Sequence, residues 1–297
     1  MNDSIRQKIL NSSIDCFGFE EGSGSTTFGS IQDSRLDLLG DISFGEGKLG
    51  DFGLLSTRTE DGFAASDAGE AGRYWKNNES LYAAIWVRPL ESVNDRSDVP
   101  KNIIRKDSGS GIGFRLNYWD EAGNNPAPGG VRVQLVDSGN NIVQVQSAAG
   151  KLALNQWYMI TASWDRDNNA LKLWVNEELI GTASSPLSPP VNSNMSDAES
   201  TKIGGDNNGG RPPRFLGNID SAVLGRIETL TQGDVEWLYN NGGGRTCSQI
   251  QNPQGPLEPQ DIFNATYANA SAAPPKRTAL VRPLDVQRSI DTDVSWL

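Results

Sequence analysis

Residues 152–180 read LALNQWYMITASWDRDNNALKLWVNEELI, and this stretch decides the fold. From Trp157 to Trp164 the side chains alternate in character, which is the period-two pattern of a β-strand with two different faces. The run 165–169 interrupts this pattern with residues that favour turns and tolerate left-handed backbone. Alternation resumes from Leu171 to Val175. The stretch therefore predicts a β-hairpin, followed by a second tight turn at 176–178.

Other segments carry the same strand pattern and are spread over most of the chain. The chain contains 32 Gly and 15 Pro, a composition rich in turns that argues against a helical bundle. Short helices are expected only at Ser4–Leu10 and Asp234–Leu238. The strand candidates are residues 14–19, 80–89, 103–106, 111–118, 131–136 and 142–146.

The hairpin string NQWYMITASWD…LKLWVNEELI resembles the central hairpin of laminin-G-like domains of the concanavalin A-like superfamily. Glu177 stands where that family usually carries Gly, so a different turn shape is expected there. Four further strings resemble family motifs in the family's order: FEEGSG (19–24), IWVRP (85–89), FLGNID (215–220) and LTQGDVEWLYNNG (230–242). The resemblance implies an all-β fold, a two-sheet antiparallel jelly-roll β-sandwich that spans residues 14–245.

The two termini differ in character from this predicted domain. Residues 1–13 are interpreted as a lead-in arm. Residues 246–297 contain six prolines and no sustained period, which predicts an extended C-terminal arm without a core of its own. Apolar side chains along the arm are expected to dock on a neighbouring surface: Phe263, Tyr267, Leu280, Val281, Leu284 and Trp296.

Charge and hydropathy limit the partners. The net charge is −11, which repels phosphate backbones and argues against nucleic acid as a partner. The first residues are polar, and no apolar run approaches the length of a membrane span. We therefore expect synthesis in a cytoplasm without a signal peptide, and no membrane partner.

The residue types argue against catalysis. The chain has no histidine, which excludes Ser-His-Asp hydrolysis, Cys-His chemistry and nearly all catalytic zinc sites. The paired carboxylates of the glucanases with this fold are also missing, since no E-x-D-x-x-E string occurs. Glu177 and Glu178 are adjacent and point to opposite faces, and Asp165 and Asp167 are ordinary turn residues. We expect no enzyme activity.

The two cysteines, Cys16 and Cys247, lie near the ends of the predicted domain. A jelly roll brings these ends together on neighbouring strands, so a disulfide is one interpretation. A pair of buried thiols is the other, and the expected cytoplasmic synthesis favours it.

Two kinds of binding site are expected. The resemblance implies a calcium ion held by oxygen donors from the turn after the first strand and from the closing G-x-I-D string. The matching residues are Glu20, Glu21, Asp33 and Asp220. A glycan site needs an aromatic platform beside amides. Its candidates are Trp75, Trp119 and Trp174 with Asn117 and Asn124, although tryptophans that simply fill the core are the alternative; Trp86, Trp157 and Trp164 are expected in the core.

Three functions from different classes fit these observations. The first is a non-catalytic structural or attachment protein, a bacteriophage capsid decoration or fibre protein, whose arm docks on other virion proteins or on copies of itself. The missing signal sequence, the acidic charge and the arm favour it, and a virion location follows. The second is a glycan-binding adhesin module, which the implied fold favours. The third is a glycoside-active enzyme. We expect the first function, with glycan binding as a secondary role.

Overall fold

A computed structural model describes most of the chain up to residue 251, and it contains two antiparallel sheets. Of residues 2, 3, 107 and 119 only the backbone is described. The described residues are 2–56, 62–66, 75, 79–90, 101–107, 113–119, 129–136, 141–185, 200–205, 215–227 and 229–251.

Sixteen strands and three α-helices make up this part of the chain. The helices are α1 (Asn2–Ser12), α2 (Gln232–Tyr239) and α3 (Cys247–Gln251). The strands are β1 (Ser13–Phe17), β2 (Thr26–Phe28), β3 (Arg35–Leu39), β4 (Ile42–Glu46), β5 (Phe52–Ser56), β6 (Phe63–Ser66), β7 (Leu81–Pro89), β8 (Lys101–Asp107), β9 (Gly113–Trp119), β10 (Gly130–Val136), β11 (Ile142–Gln146), β12 (Tyr158–Asp165), β13 (Ala170–Val175), β14 (Glu178–Ala183), β15 (Lys202–Ile203) and β16 (Gly217–Gly225).

The strands form two sheets of eight, as the predicted sandwich requires. Sheet A has the order β14-β13-β12-β7-β16-β5-β4, and β1 pairs with β16 as well. Sheet B has the order β11-β10-β9-β8-β15-β6-β3-β2. All strand pairs are antiparallel. The predicted jelly-roll β-sandwich is confirmed.

The hairpin that decided the fold forms as predicted. Strand β12 pairs with β13, so that Ile160 lies opposite Val175 and Asp165 lies opposite Ala170. Both turns use an asparagine in the left-handed region: φ is 50° at Asn169 and 58° at Asn176. Because Asn176 takes the conformation that otherwise favours glycine, its neighbour Glu177 fits the turn.

The main core lies between the sheets and uses one face of each strand. It contains alternate residues of the central strands, such as Ile85 and Val87 of β7, Leu116 of β9 and Val133 of β10. Of the three tryptophans expected in the core, Trp164 lies in this core, as predicted. Trp86 and the partly buried Trp157 instead belong to a second cluster.

A second apolar cluster covers the outer face of sheet A. Trp86 and Met159 from the sheet pack there with Ile9 of α1, Val235 of α2 and Ile250 of α3. The side chain of Thr231 caps α2 in a reciprocal capping box with Asp234, and Lys8 of α1 forms a salt bridge with Asp234. Among the described residues, this cluster includes none from sheet B. The helices therefore cover the outer face of sheet A.

Cys16 and Cys247 form a disulfide, with 5.6 Å between their Cα atoms. The interpretation as two buried thiols is wrong, because pairing of β1 with β16 places Cys16 beside the start of α3. Residues 247–251 also differ from the predicted extended arm: they form helix α3, in which Cys247 and Ile250 are buried. The predicted lead-in arm forms helix α1. The rest of the C-terminal arm stays a prediction, since residues 252–297 lie outside the described part.

We expect the disulfide to stabilise the fold strongly. It links residues 231 positions apart, and closing so long a loop restricts the unfolded chain. Replacing Cys16 and Cys247 by Ala is expected to lower the free energy of unfolding by about 2–5 kcal/mol. Urea denaturation with and without dithiothreitol measures this.

The double variant is the control for that experiment. Dithiothreitol should lower the urea midpoint of the wild type and leave the midpoint of the double variant unchanged. A wild-type midpoint insensitive to the reductant, with reduced thiols verified by alkylation, would contradict the assigned role.

Candidate functional site

The outer face of sheet B is lined by polar and cationic side chains, in contrast to the apolar outer face of sheet A. We call this surface the polar face. It is defined by Asn102 and Arg105 of β8, Arg115 and Asn117 of β9, Arg132 and Gln134 of β10, Gln144 and Gln146 of β11, and Lys202 of β15.

Strand register places these side chains in two rows across the sheet. In the first row Gln134 lies opposite Arg115, Arg115 opposite Arg105, and Arg105 opposite Lys202. The row continues past Ala65 to Asp37 of β3 and Thr26 of β2. Directly opposed residues on one face of a sheet have Cβ atoms about 5 Å apart. The cationic groups of β9, β8 and β15 are therefore immediate neighbours.

The second row centres on two asparagines. Arg132 lies opposite Asn117, and Asn117 lies opposite Asn102. The Nδ2 atom of Asn117 donates a 2.6 Å hydrogen bond to the Oδ1 atom of Asn102. Both side chains are buried, at 1% and 3% exposure.

This asparagine pair leaves one donor and one acceptor unused. Within the described part of the chain, the Nδ2 atom of Asn102 and the Oδ1 atom of Asn117 are buried and have no hydrogen-bond partner. A buried polar atom without a partner costs roughly 1–3 kcal/mol. The pair is thus arranged to give one hydrogen bond and accept another.

The polar face has a positive electrostatic character. Burial, together with the nearby charge of Arg115, lowers the pKa of Arg132 to about 10. Gln134 donates from Nε2 to the Oε1 atom of Gln144 at 2.9 Å, which orders the amides beside this pair of arginines. The Gln134 and Gln144 side chains are therefore held in fixed positions.

The predicted sugar-binding residues have different outcomes. The expected exposure of Trp75 and Trp174 is wrong: Trp75 is fully buried against Phe114, and Trp174 is buried beneath α2, where its indole donates to Gln232. Asn117 lies on the polar face. Asn124 and the Trp119 side chain lie outside the described residues.

Sequence reasoning missed the other members of the polar face. The signal was present in β9 and β10, where Arg115 and Asn117 alternate with apolar residues, as do Arg132 and Gln134. Such alternation identifies the outward side chains of a half-buried strand. Asn102 gives no such signal, because a register irregularity in β8 separates it from Ile104.

Three of the four predicted calcium ligands line a second feature, a cavity of about 370 Å³. It lies between the turn after β1, the β4–β5 loop, β16 and the start of α3. Glu20, Glu21 and Asp220 line it together with Phe28 and Leu49. Asp33 does not line this cavity; it is exposed, in a loop where its φ is 54°.

These carboxylates bind backbone amides. Asp220 accepts from the backbone N–H groups of Lys48 and Leu49, at 2.6 and 2.8 Å. Glu20 accepts from the same loop, from the N–H groups of residues 51 and 52. Glu21 accepts from Thr27 and from the N–H of residue 28. Each carboxylate thus holds a loop in place.

A calcium ion does not fit the described arrangement well. Within the described residues, no three Asp, Glu, His or Cys side chains lie together as a metal-holding group. Among the three cavity carboxylates, the Oδ1 of Asp220 is the one buried oxygen without a partner. Calcium takes six to eight oxygen ligands, which this group of side chains does not gather around one point. Calcium binding stays a prediction of the resemblance.

Asp15 is a loop-holding carboxylate that the sequence analysis did not single out. It is fully buried, and it accepts from the backbone N–H groups of Ile31 and Ser34 at 2.9 and 3.1 Å. Gly29 packs against it so closely that a Cβ atom at that position would lie 2.0 Å from the Asp15 Cγ. The loop between β2 and β3 therefore depends on this pair.

Asp165, the turn residue considered and rejected for catalysis, is buried in a structural network. Its carboxylate accepts from Thr229 at 2.6 Å and from the backbone and side chain of Asn168 at 3.0 and 2.8 Å. Burial raises the pKa of Asp165, but these hydrogen bonds outweigh it and the pKa is lowered overall.

Further expectations concern the membrane and the arm. Among the helices in the described part of the chain, none is long and apolar enough to cross a bilayer. The docking candidates Phe263, Tyr267, Leu280, Val281, Leu284 and Trp296 all lie outside the described residues. Their role stays a prediction.

The fold and its polar face define a jelly-roll protein of the lectin and glucanase class. Residues 64–235, more than half of the chain, match the family model of the concanavalin A-like lectin/glucanases superfamily. The chain belongs to this superfamily. A search of curated proteins finds no match.

Solved structures with the same fold include toxin binding domains and part of a glycosidase. The binding domain of Paraclostridial Mosquitocidal Protein 1 has a TM-score of 0.58 and 12% identity over 79% of this chain and 53% of its own. The binding domain of botulinum neurotoxin DC, in complex with SialylT, has a TM-score of 0.53 and 14% identity over 78% of this chain and 52% of its own. This chain thus spans about half the length of these toxin structures.

A third neighbour is matched over nearly its whole length. Domain 4 of AbnA, a GH43 extracellular arabinanase from Geobacillus stearothermophilus, was solved in complex with arabinotriose. Its TM-score is 0.51, with 15% identity over 75% of this chain and 96% of the domain. At these identities the likeness establishes the fold alone.

Asp220 is expected to make stability depend on pH. Burial, with a smaller contribution from the charge of Glu20, outweighs the backbone hydrogen bonds from Leu49 and Lys48 and raises the pKa of Asp220 to about 6. Because the native pKa lies above the unfolded value, Asp220 stabilises the fold at low pH, and this contribution is lost as pH rises to about 6. Relative to Asp220→Asn, the free energy of unfolding of the wild type should fall by about 2 kcal/mol between about pH 4.5 and about pH 7.5.

Asp165→Asn is the matched control for that measurement. The native pKa of Asp165 is lowered, so its contribution is complete above the unfolded pKa and is lost only at more acidic pH. The difference in free energy of unfolding between Asp165→Asn and the wild type should therefore stay constant over the same pH range. Urea unfolding at both pH values tests the pair, and equal pH trends for the two variants would contradict the assignment.

Calcium gives a separate prediction. Because the cavity carboxylates are occupied by backbone amides, we expect the wild-type Tm to be the same in EDTA and in millimolar calcium chloride. Differential scanning calorimetry measures this. A rise in Tm with calcium that Asp220→Asn abolishes would support the calcium site instead.

Proposed function

We propose that the chain is a non-catalytic, glycan-binding attachment protein and that the polar face receives the glycan. The observation that carries this proposal is the asparagine pair, in which Asn102 retains a buried donor and Asn117 a buried acceptor. A sugar hydroxyl both donates and accepts, so vicinal hydroxyls satisfy both atoms at once. Binding would thereby remove the cost of two unpaired buried groups.

The neighbouring side chains extend this recognition along the sheet. Arginine and glutamine side chains present planar groups whose hydrogen-bonding directions are fixed. The strands β10, β9, β8 and β15 are consecutive in sheet B and lie about 4.8 Å apart, so the two rows cover roughly 14 Å. This length suits a short oligosaccharide better than a single sugar.

The chemistry of the face favours binding over hydrolysis. Glycoside hydrolysis uses a pair of carboxyl groups on either side of the scissile bond. Among the described side chains in the two rows, Asp37 is the one acid. It lies near the far end of the first row and pairs with Arg35 at 2.6 Å. A single carboxylate at the edge, paired with an arginine, cannot supply both of the carboxyl groups that hydrolysis needs.

The fold supports the same function by analogy. One solved neighbour holds arabinotriose and another holds SialylT, so jelly rolls of this architecture serve as glycan-binding modules in other proteins. A fold hosts many functions, so the analogy adds support only together with the asparagine pair.

A virion location is the narrower form of this proposal. It rests on the sequence expectations: the acidic charge and the apolar residues of the arm. A bacteriophage decoration or fibre protein and an adhesin module of a bacterial surface protein both use a glycan-binding jelly roll. Immunogold negative-stain microscopy of purified particles separates them, since labelled particles support the virion role and unlabelled particles exclude it.

The asparagine pair is expected to be necessary for glycan binding. We predict that Asn117→Ala and Asn102→Ala each lower glycan affinity at least about tenfold, since each removes a buried hydrogen bond to the sugar worth roughly 1–3 kcal/mol. A glycan array identifies the ligand and titration calorimetry measures the affinity. Asn11→Ala, at an exposed amide of α1, is the control and should bind like the wild type.

Two results would overturn the proposal. One is full binding by both pair variants, which would place the site elsewhere. The other is release of reducing ends from a bound glycan by the wild type, which would make the protein an enzyme. Circular dichroism of each variant distinguishes lost binding from lost folding.

A further inference from the structure

The cavity beside the start of α3 combines negative charge with apolar surface, and the proposed glycan site does not use it. Its volume of about 370 Å³ is within the range of small-molecule sites. Glu20, Glu21 and Asp220 line it, and among the described residues that line it none is basic. Phe28 and Leu49 contribute apolar surface. The cavity therefore suits a ligand that is both positively charged and partly apolar.

Asp220 has one carboxylate oxygen that nothing in the described part of the chain satisfies. It lies opposite Trp86 in register and therefore points to the outer face of sheet A, where α3 also lies. Its Oδ2 atom accepts from the N–H groups of Lys48 and Leu49, while its Oδ1 atom is buried without a hydrogen-bond partner. The backbone N–H of Ser221 attracts the carboxylate but forms no hydrogen bond with Oδ1. Because buried polar atoms are nearly always paired, Oδ1 is suited to a donor from a ligand.

The charges around Asp220 favour a cationic donor over a neutral one. Burial outweighs the backbone hydrogen bonds of Asp220, and the charge of Glu20 adds to the raised pKa of its carboxyl group. Lys48 belongs to the adjoining loop, but its ammonium group lies over the Trp86 ring, 5.2 Å from the ring centroid. A cation at Oδ1 would be attracted by both carboxylates, and a charge-assisted hydrogen bond is about twice as strong as a neutral one.

Phe28 supplies an apolar contact at the same cavity. Its side chain is 46% exposed, and its backbone N–H donates to the Oε1 atom of Glu21 at 2.9 Å. The start of α3 forms another wall, where Cys247 is fixed by its disulfide to β1. An exposed aromatic ring offers packing to a hydrocarbon group and also attracts cations to its face. The cavity therefore has both contacts on fixed elements.

We infer that this cavity binds a small organic cation, whose primary ammonium group donates to the Oδ1 atom of Asp220 while its carbon skeleton packs against Phe28 and Leu49. The cavity lies at sheet A, away from the polar face, so the inference goes beyond the proposed glycan binding and does not depend on it. It also differs from calcium binding. An ammonium group has three N–H donors, whereas calcium takes six to eight oxygen ligands.

The test pairs each of two amines with a neutral counterpart. Titration calorimetry of the intact protein in EDTA compares 2-phenylethylamine with 2-phenylethanol, and glucosamine with glucose. We expect at least one amine to bind about tenfold or more tightly than its neutral counterpart, because only the amine forms a charge-assisted hydrogen bond. The amine that binds more tightly shows whether the cation is an arylalkylamine or an amino sugar.

Three variants assign the binding to the cavity. Asp220→Asn keeps the shape of the side chain but removes its charge, and it should weaken amine binding about tenfold or more. Asp33→Asn removes the same charge from an exposed residue that does not line the cavity, and it should bind like the wild type. Phe28→Ala should weaken 2-phenylethylamine binding about two- to fivefold. Circular dichroism verifies that each variant is folded.

Several results would overturn the inference. These are amine binding by folded Asp220→Asn that equals the wild type, equal losses in Asp33→Asn and Asp220→Asn, and equal affinity for each amine and its neutral counterpart. A Kd above about 10 mM for both amines would do the same. If Asp220→Asn does not fold, undiminished binding of 2-phenylethylamine by Phe28→Ala decides against the cavity.

The asparagine pair separates this inference from the proposed function. Asn117→Ala alters the polar face and leaves the cavity intact, so it should bind the amines like the wild type. Glycan binding that fails while amine binding persists overturns the proposed function alone. Amine binding that fails in the wild type while glycan binding persists overturns the cavity inference alone.

Discussion

The two sheets of this sandwich have outer faces of opposite character, and the rest of the structure depends on that difference. A strand buries one face against the opposite sheet, so its other side chains must meet water, a ligand or another element. Sheet A places Trp86, Met159 and Trp174 on its outer face, and the helices cover them. Sheet B places arginines and amides there. The proposal that a ligand binds at sheet B follows from which outer face the helices cover.

The helices stay on sheet A because several independent bonds tie them down. The Cys16–Cys247 disulfide joins β1 to α3, and the Lys8–Asp234 salt bridge joins α1 to α2. The covered face then explains why Trp174, which looked suited to sugar stacking, is buried instead. In the proposed function, sugar recognition falls to polar side chains of sheet B.

Sequence reasoning predicted the fold well because it depends on local patterns. The alternation around Trp164 and the turn residues Asn169 and Asn176 are visible in the sequence, and both have the predicted structural roles. The site was harder to predict. Alternation tells which residues share a face but not whether a distant helix covers it, and this is why the expected exposure of Trp174 is wrong.

The acidic residues show a second limit of sequence reading. Glu20 and Asp220 match a calcium pattern by type and position, and the structure does bring them to one cavity. Oxygen donors that suit a cation suit a backbone N–H equally well, and the β4–β5 loop supplies those N–H groups. The choice between metal and loop depends on a contact from a segment far away in the sequence, which no local motif records.

A small irregularity in β8 links the fold to the proposed site. In a regular strand Asn102 and Ile104 would share a face, so one of them would be misplaced: an amide in the core or an isoleucine among the arginines. The register shift between them lets Ile103 and Ile104 both enter the core while Asn102 lies opposite Asn117 on the outside. Bulges of this kind commonly re-aim a side chain beside a functional site. Here the shift places Asn102 opposite Asn117 and so creates the asparagine pair.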